Sequence, residues 1–387
     1  MTEHRLTRDD FLIRDDVIFF NHGAFGACPK SVFECYQAWQ LELERQPVDF
    51  LLRRGAPLMA DARARIADYF NVPSDEIVFV TNATTGLSRA VRSLSLQPGD
   101  EILTTDHEYG AVNRLLDFVA DRTGAQIVRS YVRLPYRDDA RFVDDLFADA
   151  TAKTRAIVIS HITSPTSLIF PVQRICERAR AEGILTIIDG AHAPGQLPVD
   201  LKAIGADMYS GNFHKWLCAP KGSGFLHVRP EHHASIDPLE ISHGVYDGSG
   251  FVERNEWQGT RDIAAFLTAP AAIDYQRERN WRAVRAECHR LALQAQTRLC
   301  NRYQQTPFSE NQFAQKVTVP LPQCDVDLLR RRLYDDYRIE APVGKFADQC
   351  EIRISVQAYN TSAEIDLLIA ALDDLLDESS KQAIASM

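Results

Sequence analysis

A single lysine stands in an unusual setting within SGNFHKWLCAPKGSGFL, residues 210 to 226. Lys215 follows a short apolar run and precedes a turn rich in Pro and Gly, instead of lying among other charges on a helix face. A lysine amine can form an imine with an aldehyde when burial or nearby positive charge lowers its pKa and supplies the free amine. This context indicates a loop directed at a ligand.

Two further segments offer groups that complement the amine. Asp189 ends the apolar run ILTIID, where a carboxylate is costly without a cationic partner such as a protonated pyridine nitrogen. The turn TNATTG, residues 81 to 86, lies between a strand and a helix, where free N–H groups and the helix dipole favour a phosphate. Each feature alone is more often a cap, a turn or a solvated side chain. Together, an aldehyde, a pyridinium and a phosphate describe pyridoxal 5'-phosphate (PLP), which we predict as the cofactor.

The elements that must position these groups alternate along the chain. Apolar runs such as EIVFV, EILTT, RAIVIS and ILTIID are each followed by a helical pattern or a loop. This alternation predicts an α/β fold with a large, mostly parallel sheet covered by helices. Ligands bind at the carboxyl ends of such strands, where the sequence reads TNATT, DHEYG, HITSPT, DGAH and GNFHK. These polar loops are the expected walls of the site.

The pattern changes after Thr260. A helical stretch, AAIDYQRERNWRAVRAECHRLALQAQTRLCNRY, precedes a helix at VDLLRRRLYDD, strands at RIEAP and EIRISV, and a last helix with a capping box at Thr361 and Glu364. We therefore predict two domains. Residues 1–262 form an N-terminal segment and the large PLP-binding domain, and residues 263–387 form a linking helix and a smaller α+β domain.

Composition excludes several classes of protein. The formal net charge is -10, which disfavours a nucleic-acid partner. No run approaches the roughly 18 apolar residues of a membrane span, and the charged opening MTEHRLTRDD lacks the apolar core of a signal peptide. The eight cysteines show no CxxC or zinc-like spacing, which is typical of reduced thiols and predicts no metal site. We expect a cytoplasmic protein.

The sequence resembles fold-type I PLP enzymes of the class V aminotransferase group, which includes the cysteine desulfurases. Within that group it is most similar to isopenicillin N epimerase-like proteins and hercynylcysteine sulfoxide lyases. The resemblance runs from FFNHGAFGACPKSV through NATTGL, IIDGAHAPGQLPVDL and GNFHKWLCAPKGSGFL to IRISVQAYNTSAEID. It implies the PLP-dependent transferase fold, an amino-acid substrate and a homodimer with shared active sites.

The resemblance also implies roles for individual cofactor residues. Lys215 is the Schiff-base lysine and the catalytic acid/base, and Asp189 keeps the pyridine nitrogen protonated. Tyr109 takes the place of a histidine that stacks on the ring. The phosphate is expected to contact the Ala83 and Thr84 N–H groups, the Thr84 hydroxyl, His214 and, from the neighbouring subunit, the segment Gly259-Thr260.

Two sets of positions are less closely defined by the resemblance. Ser164, Thr166 or His192 is expected to contact the 3'-oxygen of the ring, with a purely loop-stabilising role left open for His192. Arg353, in EIRISV, resembles the arginine that binds the substrate carboxylate through two parallel hydrogen bonds, the alternative being a structural strand arginine paired with an acid. Asn21 and His22 are expected to border the substrate pocket.

These roles predict an enzyme that takes an amino acid into an external aldimine and removes a proton from Cα. Carbon–sulfur lyase (β-elimination) and epimerase outcomes are favoured over class V aminotransferase activity. A cysteine desulfurase and a non-catalytic PLP-binding sensor are also less favoured. The desulfurase reaction needs a mobile thiol, and Cys350, the one thiol in EAPVGKFADQCEIRIS, lies at or beside the strand that carries Arg353. Which amino acid is the substrate stays open.

Overall fold

A computed structural model describes residues 7–246 and 248–385, with side chains described up to residue 377. The strands are β1 (Ile18–Phe19), β2 (Ile77–Val80), β3 (Glu101–Thr105), β4 (Gln126–Ser130), β5 (Thr154–Ser160), β6 (Leu185–Gly190), β7 (Met208–Asn212), β8 (Gly224–Val228), β9 (Lys316–Pro320), β10 (Ile339–Glu340), β11 (Val343–Phe346) and β12 (Gln349–Ser355).

The α-helices lie between and after these strands. They are α1 (His22–Phe25), α2 (Lys30–Arg45), α3 (Gly55–Phe70), α4 (Ala83–Arg92), α5 (Gly110–Thr123), α6 (Asp139–Ala148), α7 (Val172–Ala181), α8 (Leu201–Ile204), α9 (Phe251–Glu256), α10 (Ala264–Glu278), α11 (Trp281–Tyr303), α12 (Val326–Tyr337) and α13 (Ser362–Ala385). A π-helical turn spans Asp49–Arg54, and 3₁₀ turns span Arg8–Asp10, Ser74–Glu76 and Pro230–Ser235.

A seven-stranded sheet with the order β2-β8-β7-β6-β5-β3-β4 forms the centre of the molecule. Its neighbouring strands are parallel except for β8, which runs antiparallel to both β2 and β7. The central strands are buried on both faces, which requires helices on both sides and explains their runs of Val and Ile. The predicted α/β fold with a mostly parallel sheet is confirmed.

The register of this sheet aligns the ends of three central strands. Ser160 pairs with Asp189, and Asp189 pairs with Ser210. Because β5, β6 and β7 are parallel, the loops that follow them leave the sheet at one edge. The positions predicted from strand ends are thereby brought to the same side of the molecule.

A second, smaller unit has its own sheet and hydrophobic core. Strands β11, β12 and β9 pair antiparallel, and β1 from the N-terminal segment pairs in parallel with β10. Helix α10 still contributes to the core of the large unit, whereas the core of the small unit takes in α11 from Cys288 onward together with Phe20. The change of core therefore falls within α11, in the helical stretch predicted to link the two domains.

Two sequence-based helix predictions differ in outcome. The single long helix predicted before Tyr303 is wrong, because Asn280, in the left-handed region at φ 45°, separates α10 from α11. The capping box is confirmed: the Thr361 N–H donates to Glu364 Oε2 at 2.9 Å, and the Glu364 N–H donates to Thr361 Oγ1 at 3.3 Å. Within residues 7–246 and 248–385, none of the helices combines the length and apolar character that a bilayer crossing requires.

Candidate active site

The loop that carries Lys215 follows β7 at the carboxyl edge of the sheet and is held in place by hydrogen bonds to neighbouring residues. The Phe213 N–H donates to Ser223 O at 3.1 Å, which closes the loop against β8. His22 lies beneath it, with Nε2 donating to Lys215 O at 3.0 Å and Nδ1 accepting from the Tyr359 hydroxyl at 2.9 Å. His22 is fully buried and both ring nitrogens are used, so its ring has no free nitrogen for a substrate.

The amine of Lys215 lies beside His192. Lys215 Nζ is 3.3 Å from His192 Nε2, and the Trp216 indole N–H donates to His192 Nδ1, also at 3.3 Å. Since an indole can only donate, Nδ1 must accept and Nε2 carries the proton of the neutral imidazole. That proton can be accepted only by an unprotonated amine. Burial, with a contribution from Arg353, lowers the pKa of Lys215 to about 8, although Asp189 opposes the change.

Asp189, at the end of β6, is a buried carboxylate that can accept further hydrogen bonds. One oxygen accepts the Ala191 N–H at 2.9 Å, and the residue is 4% exposed. Burial raises the pKa of Asp189, while the positive charges of Lys215 and Lys316 lower it. Asp189 forms no ion pair in the part of the chain that the structure describes, so a cationic ring nitrogen would find an available acceptor there.

The N-terminus of α4 lies beside the end of β7. Asn82 caps the helix by accepting the Thr85 N–H at 2.9 Å. The Ala83 N–H donates to Asn212 Oδ1 at 2.8 Å and is therefore already used, in contrast to its predicted role. Thr84 is exposed, and as the second residue of the helix it has no intrahelical acceptor for its N–H. Thr84 and the adjacent helix dipole can thus bind an anion.

Two other predicted cofactor residues differ in their accessibility. The Nδ1 of His214 is 3.0 Å from Ser223 O, and burial lowers the pKa of His214 to about 4. Nδ1 therefore donates to this carbonyl, which leaves Nε2 for a ligand. Tyr109 immediately precedes α5 and keeps 49% of its surface exposed, so its ring is accessible.

The segment Gly259-Thr260 borders a groove whose lining does not include the Lys215 loop. Gly259 lines a groove with Leu52 and Met59, and Thr260 is exposed. Among the described residues, Thr260 forms no hydrogen bond with the Lys215 loop.

The turn 163–167 after β5 separates the two hydroxyls predicted to contact the ring. Thr166 Oγ1 is bonded to His107 Nδ1 at 2.7 Å and to Thr163 Oγ1 at 2.8 Å, so this hydroxyl is already used. The main-chain oxygen of Ser164 accepts from Arg353 Nη1 at 3.2 Å. The Ser164 side chain remains the better candidate of the two.

Arg353 reaches this turn from β12 of the small unit. Its Nε is buried without a hydrogen-bond partner, and the guanidinium forms no ion pair with any described residue. A structural arginine paired with an acid is therefore not observed. Asn21 donates to Glu340 Oε1 at 2.9 Å, and its own Oδ1 is buried without a partner.

Two polar residues of the site are not predicted from the sequence. Asn212 orders the start of α4, and its place in the strand-end loop GNFHK is a usable signal. Lys316, the first residue of β9, is 2% exposed and reaches the turn 163–167 from the small unit. Nothing in the local sequence QKVTVP distinguishes Lys316 from a surface lysine at the start of a strand.

Comparisons with known proteins identify the family and the fold. The aminotransferase class-V family model matches residues 31–368. The chain is 36% identical over 391 residues to isopenicillin N epimerase of Streptomyces clavuligerus, covering 96% of this chain and 98% of the relative. It is 30% identical over 402 residues to putative L-cysteine desulfhydrase 1 of Oryza sativa subsp. japonica, covering 92% and 82%. An apo cysteine desulfurase from Thermococcus onnurineus NA1 has the same fold, with a TM-score of 0.83 at 21% identity over 96% of this chain and 98% of that one.

Proposed function

The chain belongs to the aminotransferase class-V family, and on that premise we propose that it is a PLP-dependent enzyme that removes the Cα proton of an amino-acid substrate. The reaction ends in carbon–sulfur bond elimination or in epimerisation, in keeping with the desulfhydrase and epimerase relatives. The single observation that carries the proposal is the amine of Lys215, held 3.3 Å from His192 Nε2 at the same sheet edge as the buried Asp189.

Several residues fit the parts of the cofactor. Asp189 would face the pyridine nitrogen, because its buried carboxylate forms no ion pair among the described residues. Thr84 and His214 would bind the phosphate at the start of α4, which Asn212 orders through the Ala83 N–H. Bound PLP supplies an electron sink that stabilises negative charge at Cα.

The chain's own proton carrier is Lys215. With its pKa near 8, a useful fraction of the amine is neutral at pH 7, which lets Nζ accept a proton. The His192 Nε2–H favours this neutral form and fixes the direction of the amine. In elimination Nζ needs only to take the Cα proton, whereas in epimerisation a proton must also return to the opposite face of Cα.

Arg353 is proposed to bind the substrate carboxylate. Its planar guanidinium offers two parallel donors, and the unpartnered, buried Nε is one of them. Binding at this point would fix the orientation of the Cα–H bond relative to Lys215. The Ser164 hydroxyl, in place of that of Thr166, is proposed to face the ring 3'-oxygen, and Tyr109 to cover the ring.

We further propose that the enzyme is a cytoplasmic homodimer. Thr260 is exposed and has no hydrogen bond to the Lys215 loop within the described chain, which suits a role at the phosphate of a neighbouring subunit. A glycine at position 259, with φ 92°, allows the chain to turn there.

The fate of the Cα proton tests the proposed reaction. Holoenzyme is incubated in D₂O with a panel of L-amino acids, cysteine derivatives and sulfoxides, and the products are followed by NMR and mass spectrometry. Deuterium at Cα with inverted configuration indicates epimerisation, and a keto acid with ammonia and a sulfur-containing fragment indicates elimination. A Lys215→Ala variant is the control and should give neither. PLP-loaded protein that exchanges no Cα proton in any compound would contradict the proposal.

A further inference from the structure

A second buried lysine lies next to the site. Lys316 Nζ donates to Thr163 O at 2.9 Å and to Ser164 O at 3.0 Å. A Cβ added at Gly23 would lie 3.3 Å from Lys316 Cδ and 3.2 Å from the Trp216 ring, so both side chains pack against Gly23. A buried lysine without an acidic partner is uncommon, and the proposed chemistry does not use this one.

Lys316 and Arg353 converge on one atom. The main-chain oxygen of Ser164 accepts from Lys316 Nζ at 3.0 Å and from Arg353 Nη1 at 3.2 Å. Two nitrogens bound to the same oxygen at these distances can be no more than about 6 Å apart. The two side chains therefore meet at the same turn, although they come from different strands, β9 and β12.

Both side chains retain unused donors. In its ammonium form Lys316 has three N–H groups, of which two are bonded to the turn 163–167, so the third is available to an anion that favours this form. Arg353 has its buried Nε without a partner. Neither residue forms an ion pair within the described chain. Burial raises the pKa of the neighbouring Glu351 to about 7, so this acid is only partly charged near neutral pH. A bound anion would balance the Arg353 guanidinium and favour the ammonium form of Lys316.

We propose that Lys316 and Arg353 together bind the α-carboxylate of the substrate, with Lys316 supplying the second cationic contact. Lys316 thereby restricts the enzyme to substrates that carry a free carboxylate beside the reacting amine. This inference rests on the proposed function of the same site. Burial and the charges of Arg353 and Lys215 hold the pKa of Lys316 well below its usual range, while Glu351 and Asp189 oppose this. A bound carboxylate favours the ammonium form of Lys316.

Two oxyamine probes distinguish binding of the carboxylate from reaction of the amine with PLP. Aminooxyacetate and O-methylhydroxylamine both react with enzyme-bound PLP and change its visible absorbance, but only aminooxyacetate has a carboxylate. In holoenzyme, Lys316→Met should weaken the apparent affinity for aminooxyacetate about tenfold or more, because a hydrogen bond to a charged group is lost. The affinity for O-methylhydroxylamine should stay within about twofold of the wild-type value.

Thr318→Val provides a matched control on the same strand. Thr318 Oγ1 donates to Pro165 O at 2.8 Å and lies 2.8 Å from Ser167 Oγ, so it also ties β9 to the turn but carries no charge. The Thr318→Val variant should leave the preference between the two probes unchanged. Equal weakening of both probes in Lys316→Met, or the same selective loss in Thr318→Val, would show that Lys316 only shapes the turn and would overturn the inference.

A second variant keeps the test decisive if Lys316→Met does not fold. Lys316→Gln keeps N–H donors for the turn but carries no charge, so the same selective loss of aminooxyacetate affinity is expected. An unchanged preference between the probes in Lys316→Gln would refute this inference but leave the proposed function standing. Wild-type protein that binds PLP but responds to neither probe would instead overturn the proposed function, and this inference with it.

Discussion

Replacing Trp216 by phenylalanine should raise the pKa of Lys215. The Trp216 indole holds His192 in the tautomer whose Nε2–H points at the lysine amine, through contacts of 3.3 Å on each side of the imidazole. Only the neutral amine can accept this proton, so we expect the arrangement to favour neutral Lys215 in addition to the burial that lowers its pKa. In Trp216→Phe the imidazole can adopt the other tautomer, in which Nε2 accepts from the charged ammonium instead.

The size of the effect follows from one hydrogen bond. A neutral hydrogen bond contributes about 0.5 to 1.5 kcal/mol, and about 1.4 kcal/mol corresponds to one pKa unit. The pKa of Lys215 should therefore rise by roughly 0.5 to 1 from its value of about 8. Trp216 is fully buried, and the smaller phenylalanine should also lower the free energy of unfolding by about 1 to 3 kcal/mol.

The assay is the rate at which PLP rebinds to cofactor-free protein, followed by absorbance between about pH 6.5 and 10. The neutral amine is the reactive form, so the wild-type rate should rise with pH through a midpoint near 8 and then level off. The midpoint should move upward in Trp216→Phe. Trp257→Phe, at the groove beside α3, is the control and should not move it. An unchanged midpoint in Trp216→Phe would refute the assigned tautomer.

Three further predictions concern other parts of the site. Arg353→Lys should retain PLP but raise the substrate KM about tenfold or more, since the forked pair of donors is lost; an unchanged KM would mean that Arg353 is structural. Cys350→Ala should keep full turnover, because Cys350 is buried on β12 with Sγ 3.6 Å from Gln323 Oε1; a persulfide trapped on Cys350 would restore the desulfurase hypothesis. Tyr359→Phe should lower the free energy of unfolding by about 1 to 3 kcal/mol in urea, because His22 Nδ1 loses its buried donor; wild-type stability would show that this bond contributes little.

Local patterns are sufficient to predict the large sheet and its principal residues. Asp189 can be recognised because an acid directly after a run of Ile and Leu indicates the end of a buried parallel strand. Lys215 can be recognised because it lies in the polar loop that follows another predicted strand, β7. Both interpretations depend only on neighbouring residues, which is why a single sequence can support them.

Residues that act through distant contacts cannot be predicted in the same way. Lys316 reaches a turn about 150 positions earlier in the chain, and no periodicity encodes that distance. The motif around His22 predicts a place at the pocket, but it does not predict that this histidine donates a hydrogen bond to the main-chain oxygen of Lys215. The break at Asn280 is hidden in the sequence because apolar and basic residues continue a helical pattern on both sides of it.

The most direct test of the central claim is to locate the cofactor on the chain. Purified protein reconstituted with PLP is reduced with borohydride and digested, and the peptide that carries the added pyridoxyl phosphate mass is sequenced by mass spectrometry. We expect the label on Lys215, next to His214 and Trp216, and none in a Lys215→Ala variant. A label on Lys221 or Lys316, or wild-type protein that takes up no PLP, would contradict it.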